Sequence, residues 1–340
     1  MTAQSERPAV QPGVNGTPAG RGSGDEPRPA PLRDPSEPLV SPFAGGGLIE
    51  VFRRRYLLRL IVQKQIRARY QGSLLGLLWS YVQPLVRFCM YFFVIGLVLG
   101  LHKSVPNFAI HMFAAIVGVH FFTEAFSLGT RAVVSNKAIV RKMAMPREMF
   151  PVSAVLVAAV DGFPQLLILM VGAVSVGWTP DVNGLFAMLL GLAIITVLGT
   201  ALALLFSSMN VFFRDFQNIV STFMIFTHWI VPMIYPFSKF ATSGLAGTFL
   251  YKLYLANPLT IAVLLLQRAF WVPTLPNCRP LHAHYPNICL RHGDPNSVGF
   301  PNFPEHLFMR GGIMVLASLI VLVLCQRAFT SLESKFAERL

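Results

Sequence analysis

Six windows of the chain are each long and apolar enough to cross about 30 Å of hydrocarbon as a helix. They fall at about 75–101, 108–130, 152–177, 184–208, 216–237 and 307–326. A lipid phase satisfies no backbone polar group, so segments of this kind span as helices whose hydrogen bonds close internally. The expected fold is therefore an all-α integral membrane protein of six spans. Composition agrees: 54% of residues are hydrophobic and 13% charged, against roughly 25% charged in soluble domains. A seventh window, "YLANPLTIAVLLLQRAFW" (254–271), is interrupted by Asn257–Pro258 and Gln267–Arg268. It suits a buried or re-entrant segment before the last span better than a crossing.

Lysine and arginine set the expected orientation. Residues 53–69 carry Arg53, Arg54, Arg55, Arg59, Lys64, Arg67 and Arg69, and the loop at 131–150 carries Arg131, Lys137, Arg141, Lys142 and Arg147. The alternate connections carry only Lys103 and no basic residue, respectively. Positive residues stay inside, so the amino terminus, this loop and the 209–216 turn are expected on the cytoplasmic face. Six spans then return the charged tail 327–340 to the same side. The net charge of +13 is thereby assigned to membrane topology rather than to nucleic acid.

Outside the spans the chain changes character. Residues 1–45 are rich in Pro, Gly, Ser and charge. They cannot bury enough apolar area to offset ordering entropy, so a disordered cytoplasmic tail is expected. They also lack the apolar core of a signal peptide. Residues 46–72 mix apolar and basic helix formers, too charged to span, and suit an amphipathic interface helix. Gly72 and Gly76, four apart, offer a face for close helix approach. The long connection 238–306 is expected outside, where Cys278 and Cys289 could be joined. Its His282, His284 and His292 lack the spacing of a metal site.

Arg87, Glu124 and Asp161 lie within apolar windows, where ionisable groups face a bundle interior or an aqueous cavity. An Arg87–Asp161 pair and contact with an anionic substrate are both open. The basic loop "IVRKMAMPREMFP" (139–151) has Pro146 placed to start a helical turn. It reads as a rigid knob with Arg141, Lys142 and Arg147 available to an acidic groove. The chain has no GxxxxGK[ST] loop for ATP phosphates, no HExxH, no GxSxG and no DxD. It supplies no catalytic, cofactor or metal residues, so any energy source lies elsewhere. A secondary transporter or channel is the alternative, and a membrane glycosyltransferase a weaker one.

Four stretches carry a resemblance: "IRARYQGSLLGLLWSYVQPL" (66–85), "NKAIVRKMAMPREMFP" (136–151), "NVFFRDFQNIV" (210–220), and "LANPLT" followed by "QRAFW" (255–271). With the closing "FTSLESKFAERL", they resemble the membrane-spanning subunit of ABC-2 type polysaccharide exporters. This is the Wzm/TagG-like family of O-antigen, teichoic acid and galactan permeases. Ala144–Met145 departs from the aromatic usual before the proline, and the insertion at 272–306 resembles that expected of mycobacterial galactan exporters. The resemblance implies a homodimer with two copies of an ABC ATPase, which would bind ATP and Mg, and a lipid-linked glycan as cargo. Met145, Pro146, Arg147, Glu148 and Phe150, with Arg141 and Lys142, would form the element coupled to the ATPase. Arg214 and Asp215 would form a gating turn. Trp79, Tyr81, Arg87, Phe88, Tyr91, Phe223 and Trp229 are candidates for the pore lining.

Overall fold

A computed structural model describes residues 47–72, 76–100, 105–142, 145–241, 243–244, 247–275, 278–280, 289–291 and 303–339. The expected tail, and the histidines 282, 284 and 292, lie outside these residues.

The apolar windows become helices. Those long and apolar enough to cross a membrane are Trp79–Val98, α4 (Phe108–Ser135), α6 (Met149–Ser175), α7 (Val182–Phe212) and α12 (Leu307–Glu333). The first joins α3 (Trp79–Tyr91) to π-helical turns at Phe92–Val98, where Leu99 N–H donates to the Val94 carbonyl at 3.0 Å. A sixth span is reached only if α10 (Phe249–Leu255) and Pro258–Thr274, bent by 65°, count together. The chain folds as an all-α integral membrane protein. Two three-residue strands, β1 (Cys278–Pro280) and β2 (Cys289–Arg291), pair antiparallel with Cys278 opposite Arg291. The side chains of both cysteines, and with them the expected bridge, lie outside the described residues.

The window 216–237 does not form one long span. Helix α8 covers Phe216–Ile230, 15 residues, or about 22 Å at 1.5 Å per residue. Pro232 has no N–H to continue the ladder. The carbonyls freed at the break find partners: Gln267 donates to the Pro232 oxygen at 2.8 Å, and the Tyr235 hydroxyl to the Ile230 oxygen at 3.1 Å. Broken backbone survives at membrane depth when buried groups satisfy it in this way. A short α9 (Phe237–Ala241) follows.

Helix α11 (Pro258–Phe270) is buried along its length, which fits the buried half of the expectation for 254–271. Its start is legible locally. The Asn257 side chain accepts from Leu259 N–H at 3.0 Å, and Pro258 occupies the first turn, where no donor is needed.

Helix α4 is the centre of the bundle, packed on α6, α7, α8 and α11. At Gly129 the contact with α7 is closest: a methyl group there would lie 2.3 Å from Ala203 Cβ and 3.0 Å from its Cα. Gly129→Ala is expected to force the two helices apart at a cost of about 1–3 kcal/mol, read as a lower melting temperature in detergent. Gly312→Ala on α12, with nothing within 4 Å, is the control. Equal melting of the two variants would remove the close-contact argument.

Gly72 and Gly76 do not form a packing face. Both have positive φ, +79° and +48°, with open space where a Cβ would be. They serve to turn the chain between α2 (Arg55–Tyr70) and α3, a conformation glycine adopts without steric cost.

Candidate functional site

Two sites emerge, one a polar cavity within the bundle and one a clasp at its basic end.

Helix α2 packs along α6. Gln65 donates to Ser153 at 2.9 Å. One turn on, Arg69 donates to Glu124 at 2.6 Å and to Asp161 at 2.5 Å. The Tyr70 hydroxyl donates to Asp161 at 2.6 Å and is also hydrogen-bonded to Ser80. Arg69 thus ties both intramembrane carboxylates to the interface helix. Burial works against its charge, but Glu124 and Asp161 more than offset this and raise its pKa. Burial and the bond to Asp161 likewise raise the Tyr70 hydroxyl.

Arg69, Tyr70, Glu124 and Asp161 form one side of a cavity of about 360 Å³. Trp79, Gln83 and Arg87 of α3 form another side, with His120 and Gln165 between them. Gln165 Nε2 lies 2.9 Å from His120 Nδ1, and its Oε1 is buried without a partner among the described residues. Arg87 does not pair with Asp161, whose partners are Arg69 and Tyr70. Among the described residues Arg87 has no acidic partner. Its guanidinium shares the cavity with two carboxylates that are both held by the single cation of Arg69. The arrangement can receive an anionic group at Arg87, and a ring face or hydroxyls at Trp79, Gln83 and Gln165.

Of the expected pore lining, only Trp79 and Arg87 reach this cavity. Phe88 packs edge-on against Phe113 at 4.9 Å and stacks on Phe92 at 5.8 Å, and Tyr91 packs on the same core. Tyr81 is half-buried, while Phe223 and Trp229 lie exposed on α8. Tyr70, Ser80, Gln83, His120 and Gln165 are cavity residues not singled out from the sequence. His120 and Gln165 carried a usable signal, as polar residues within apolar windows.

The clasp corrects the picture of an exposed knob. Arg147 is 5% exposed, and Met145, Pro146, Glu148, Met149 and Phe150 are buried. Arg147 lies 3.8 Å from the Glu333 carboxylate, donates to the Glu333 carbonyl and stands 5.7 Å from the Phe336 ring centroid. Gln326 donates to Glu148 at 3.0 Å. Phe336, from α13 (Phe336–Arg339), packs edge-on against Phe329 at 5.5 Å and Phe212 at 6.1 Å. Arg147 and Glu148 therefore face the chain's own carboxyl-terminal segment rather than standing outward, and Phe150 is buried in the core beside them. Apolar burial in a small second core, which also takes in Val51, Leu58 and Ile61, draws the loop inward.

What remains outward at this end is α5 (Lys137–Lys142), with Arg141 and Lys142 exposed. Arg214 and Asp215, in the turn between α7 and α8, are exposed too. Neither has a side-chain hydrogen bond or ion pair among the described residues. On the interface segment, formed by α1 (Gly47–Arg53) and α2, Arg53, Arg55, Arg59 and Arg67 are exposed, and Arg54 pairs with Glu50 at 2.6 Å.

Comparison with known proteins fits this architecture. The chain is 27% identical over 236 residues to the O-antigen export system permease protein RfbA of Myxococcus xanthus, spanning 69% of this chain and 87% of that protein. It is also 27% identical over 180 residues to an RfbA of Klebsiella pneumoniae, spanning 53% and 68%. A family model described as ABC-2 type transporter matches residues 56–271, from the interface helix through α11. With its membrane-spanning helices and a match over more than half its length, the chain belongs to the ABC-2 type transporter family.

Proposed function

We propose that the chain is the membrane-spanning permease subunit of an ATP-driven exporter that moves a lipid-linked polysaccharide across the cytoplasmic membrane. The observation that carries this is its likeness to O-antigen export permeases along 87% of the length of one of them. The cavity is consistent with such cargo. Arg87 suits a phosphate, and Trp79 with the amides of Gln83 and Gln165 suits sugar, whose C–H faces pack on aromatic rings. The resemblance of residues 272–306 to the insertion expected of mycobacterial galactan exporters supports a galactan-type glycan as the cargo.

In this reading the basic end faces the cytoplasm and both termini lie inside. Two copies of the chain assemble with two ABC ATPase subunits, which bind ATP and Mg. The docking surface is α5 with the Arg214–Asp215 turn, and the buried loop 145–150 passes the displacement to α6 and α12. Replacing both Arg141 and Lys142 by glutamate is expected to lower export by about tenfold or more, because like charges set against a partner cost several kcal/mol. Membrane levels should not change. Unchanged export would remove α5 from the docking surface.

The function itself is tested by purification in mild detergent and by depletion. An ABC ATPase should co-purify, and a lipid-linked glycan should accumulate on the cytoplasmic side. Transport by the chain alone on an ion gradient would support a secondary transporter instead.

A further inference from the structure

Helix α2 distributes its arginines unequally. Arg69 is neutralised by Glu124 and Asp161, and Arg54, just before the helix, by Glu50. Arg55 and Arg59, one turn apart, have no acidic partner among the described residues. With Leu58 and Val62 they form one stripe of the helix, and that stripe edges an open groove of about 630 Å³. The groove's floor belongs to α6, chiefly Leu156, Val160 and Phe163, which are 39%, 46% and 63% exposed. These three residues lie on one helical face and run about 10 Å along the axis away from the basic end. The polar cavity uses another face of α6, through Asp161 and Gln165.

We propose that this groove is a binding site for an anionic glycerophospholipid, its phosphate held by Arg55 and Arg59 and one acyl chain laid along Leu156, Val160 and Phe163. Charge complementarity selects this occupant. Two guanidiniums at the edge of an apolar, membrane-facing floor match a molecule with phosphate at one end and hydrocarbon at the other. A second copy of the chain fits less well. It would have to supply acid to both arginines, yet the chain has 15 acidic against 28 basic residues, and its intramembrane acids Glu124 and Asp161 are already paired. A soluble partner does not fit the apolar floor. The site also accounts for the basic residues of α2 spreading round the helix. One face reaches the cavity through Arg69 and another holds lipid. The inference rests only on the chain lying in a membrane, not on its cargo or its ATPase.

Native mass spectrometry of the detergent-purified full chain, titrated with phosphatidylglycerol or phosphatidylcholine, tests the site. The wild type should retain phosphatidylglycerol preferentially. Arg55→Gln with Arg59→Gln should weaken that binding by about 30-fold, two basic residues' worth of attraction to anionic lipid. Arg55→Lys with Arg59→Lys should keep most of it. Arg67→Gln, exposed on the same helix but off the groove, should leave it unchanged. Phe163→Ser should weaken the intact lipid but not glycerol phosphate. Four results would overturn the site: equal retention of the two lipids, an equal loss with Arg67→Gln, full competition by glycerol phosphate alone, or a dimer contact that protects the groove.

Discussion

Reversing Arg147 to glutamate is expected to unseat the carboxyl-terminal segment and destabilise the chain more than any other single change at the basic end. The wild-type guanidinium is buried, faces the Glu333 carboxylate and carbonyl, and stands over the Phe336 ring. Removing one partner of a buried pair leaves the other charge without compensation, at a cost of about 3–5 kcal/mol. Glutamate adds repulsion from Glu333 and Glu148. The expected readouts are a lower melting temperature in detergent and protease cleavage near residue 334 that the wild type resists. A second variant separates charge from packing. Arg147→Met with Glu333→Leu replaces the pair by apolar groups and should recover much of the stability, since a buried ion pair often contributes little net energy over a packed apolar one. If the glutamate variant melts with the wild type and its tail stays protected, the clasp does not hold the loop.

The second large effect is expected at Arg69. Neutralising it as Arg69→Gln strands Glu124 and Asp161 inside the bundle. Asp161's side chain is only 8% exposed, and an uncompensated carboxylate at mid-helix costs on the order of 2.5–3.5 kcal/mol. Arg69 itself is partly exposed, so solvent screens part of the loss. Lower membrane levels and near-complete loss of export are expected. The triple variant Arg69→Gln, Glu124→Gln, Asp161→Asn should restore much of the levels, because no carboxylate is left unpaired inside the bundle. Export should stay low, because the cavity wall has lost its charge pattern. Wild-type export from a well-expressed triple variant would show that the network only supports the fold.

Much of the architecture is legible along the chain, because a span is a local property of about 20 residues. The bend before α11 could be read from Asn257–Pro258 and the burial of its far end from the polar pair Gln267–Arg268. Where the structure departs from the sequence reading, the deciding partner is distant. Window 216–237 is apolar enough to span, yet the break at Pro232 is stabilised by Gln267, 35 residues on. Glu333, which takes up Arg147, is 186 residues away, and nothing in a run of basic loop residues reveals that one of them points inward. Gly72 and Gly76 have the spacing of a packing motif, and only their backbone angles identify them as a turn. For the cavity, charge type was readable but pairing was not. Arg87 and Asp161 have matching depths, but α2 brings Arg69 closer.

The near-contact of Gly129 and Ala203 bears on how the protein deforms. Helices α4 and α7 meet almost backbone to backbone there, so at that point the seam between them has no flexible side chain that could yield. A close-packed interior transmits strain rather than absorbing it. Compliance must reside where burial is sparse. Only 17% of the apolar window at Trp79–Val98 is buried, against 78% in α4. The stiff and the soft elements meet at the cavity, where Trp79, Gln83 and Arg87 line the α3 side and Glu124 and Asp161 the other. Widening the cavity therefore means displacing α3 from a fixed wall of carboxylates, and Arg87 would travel with the moving side.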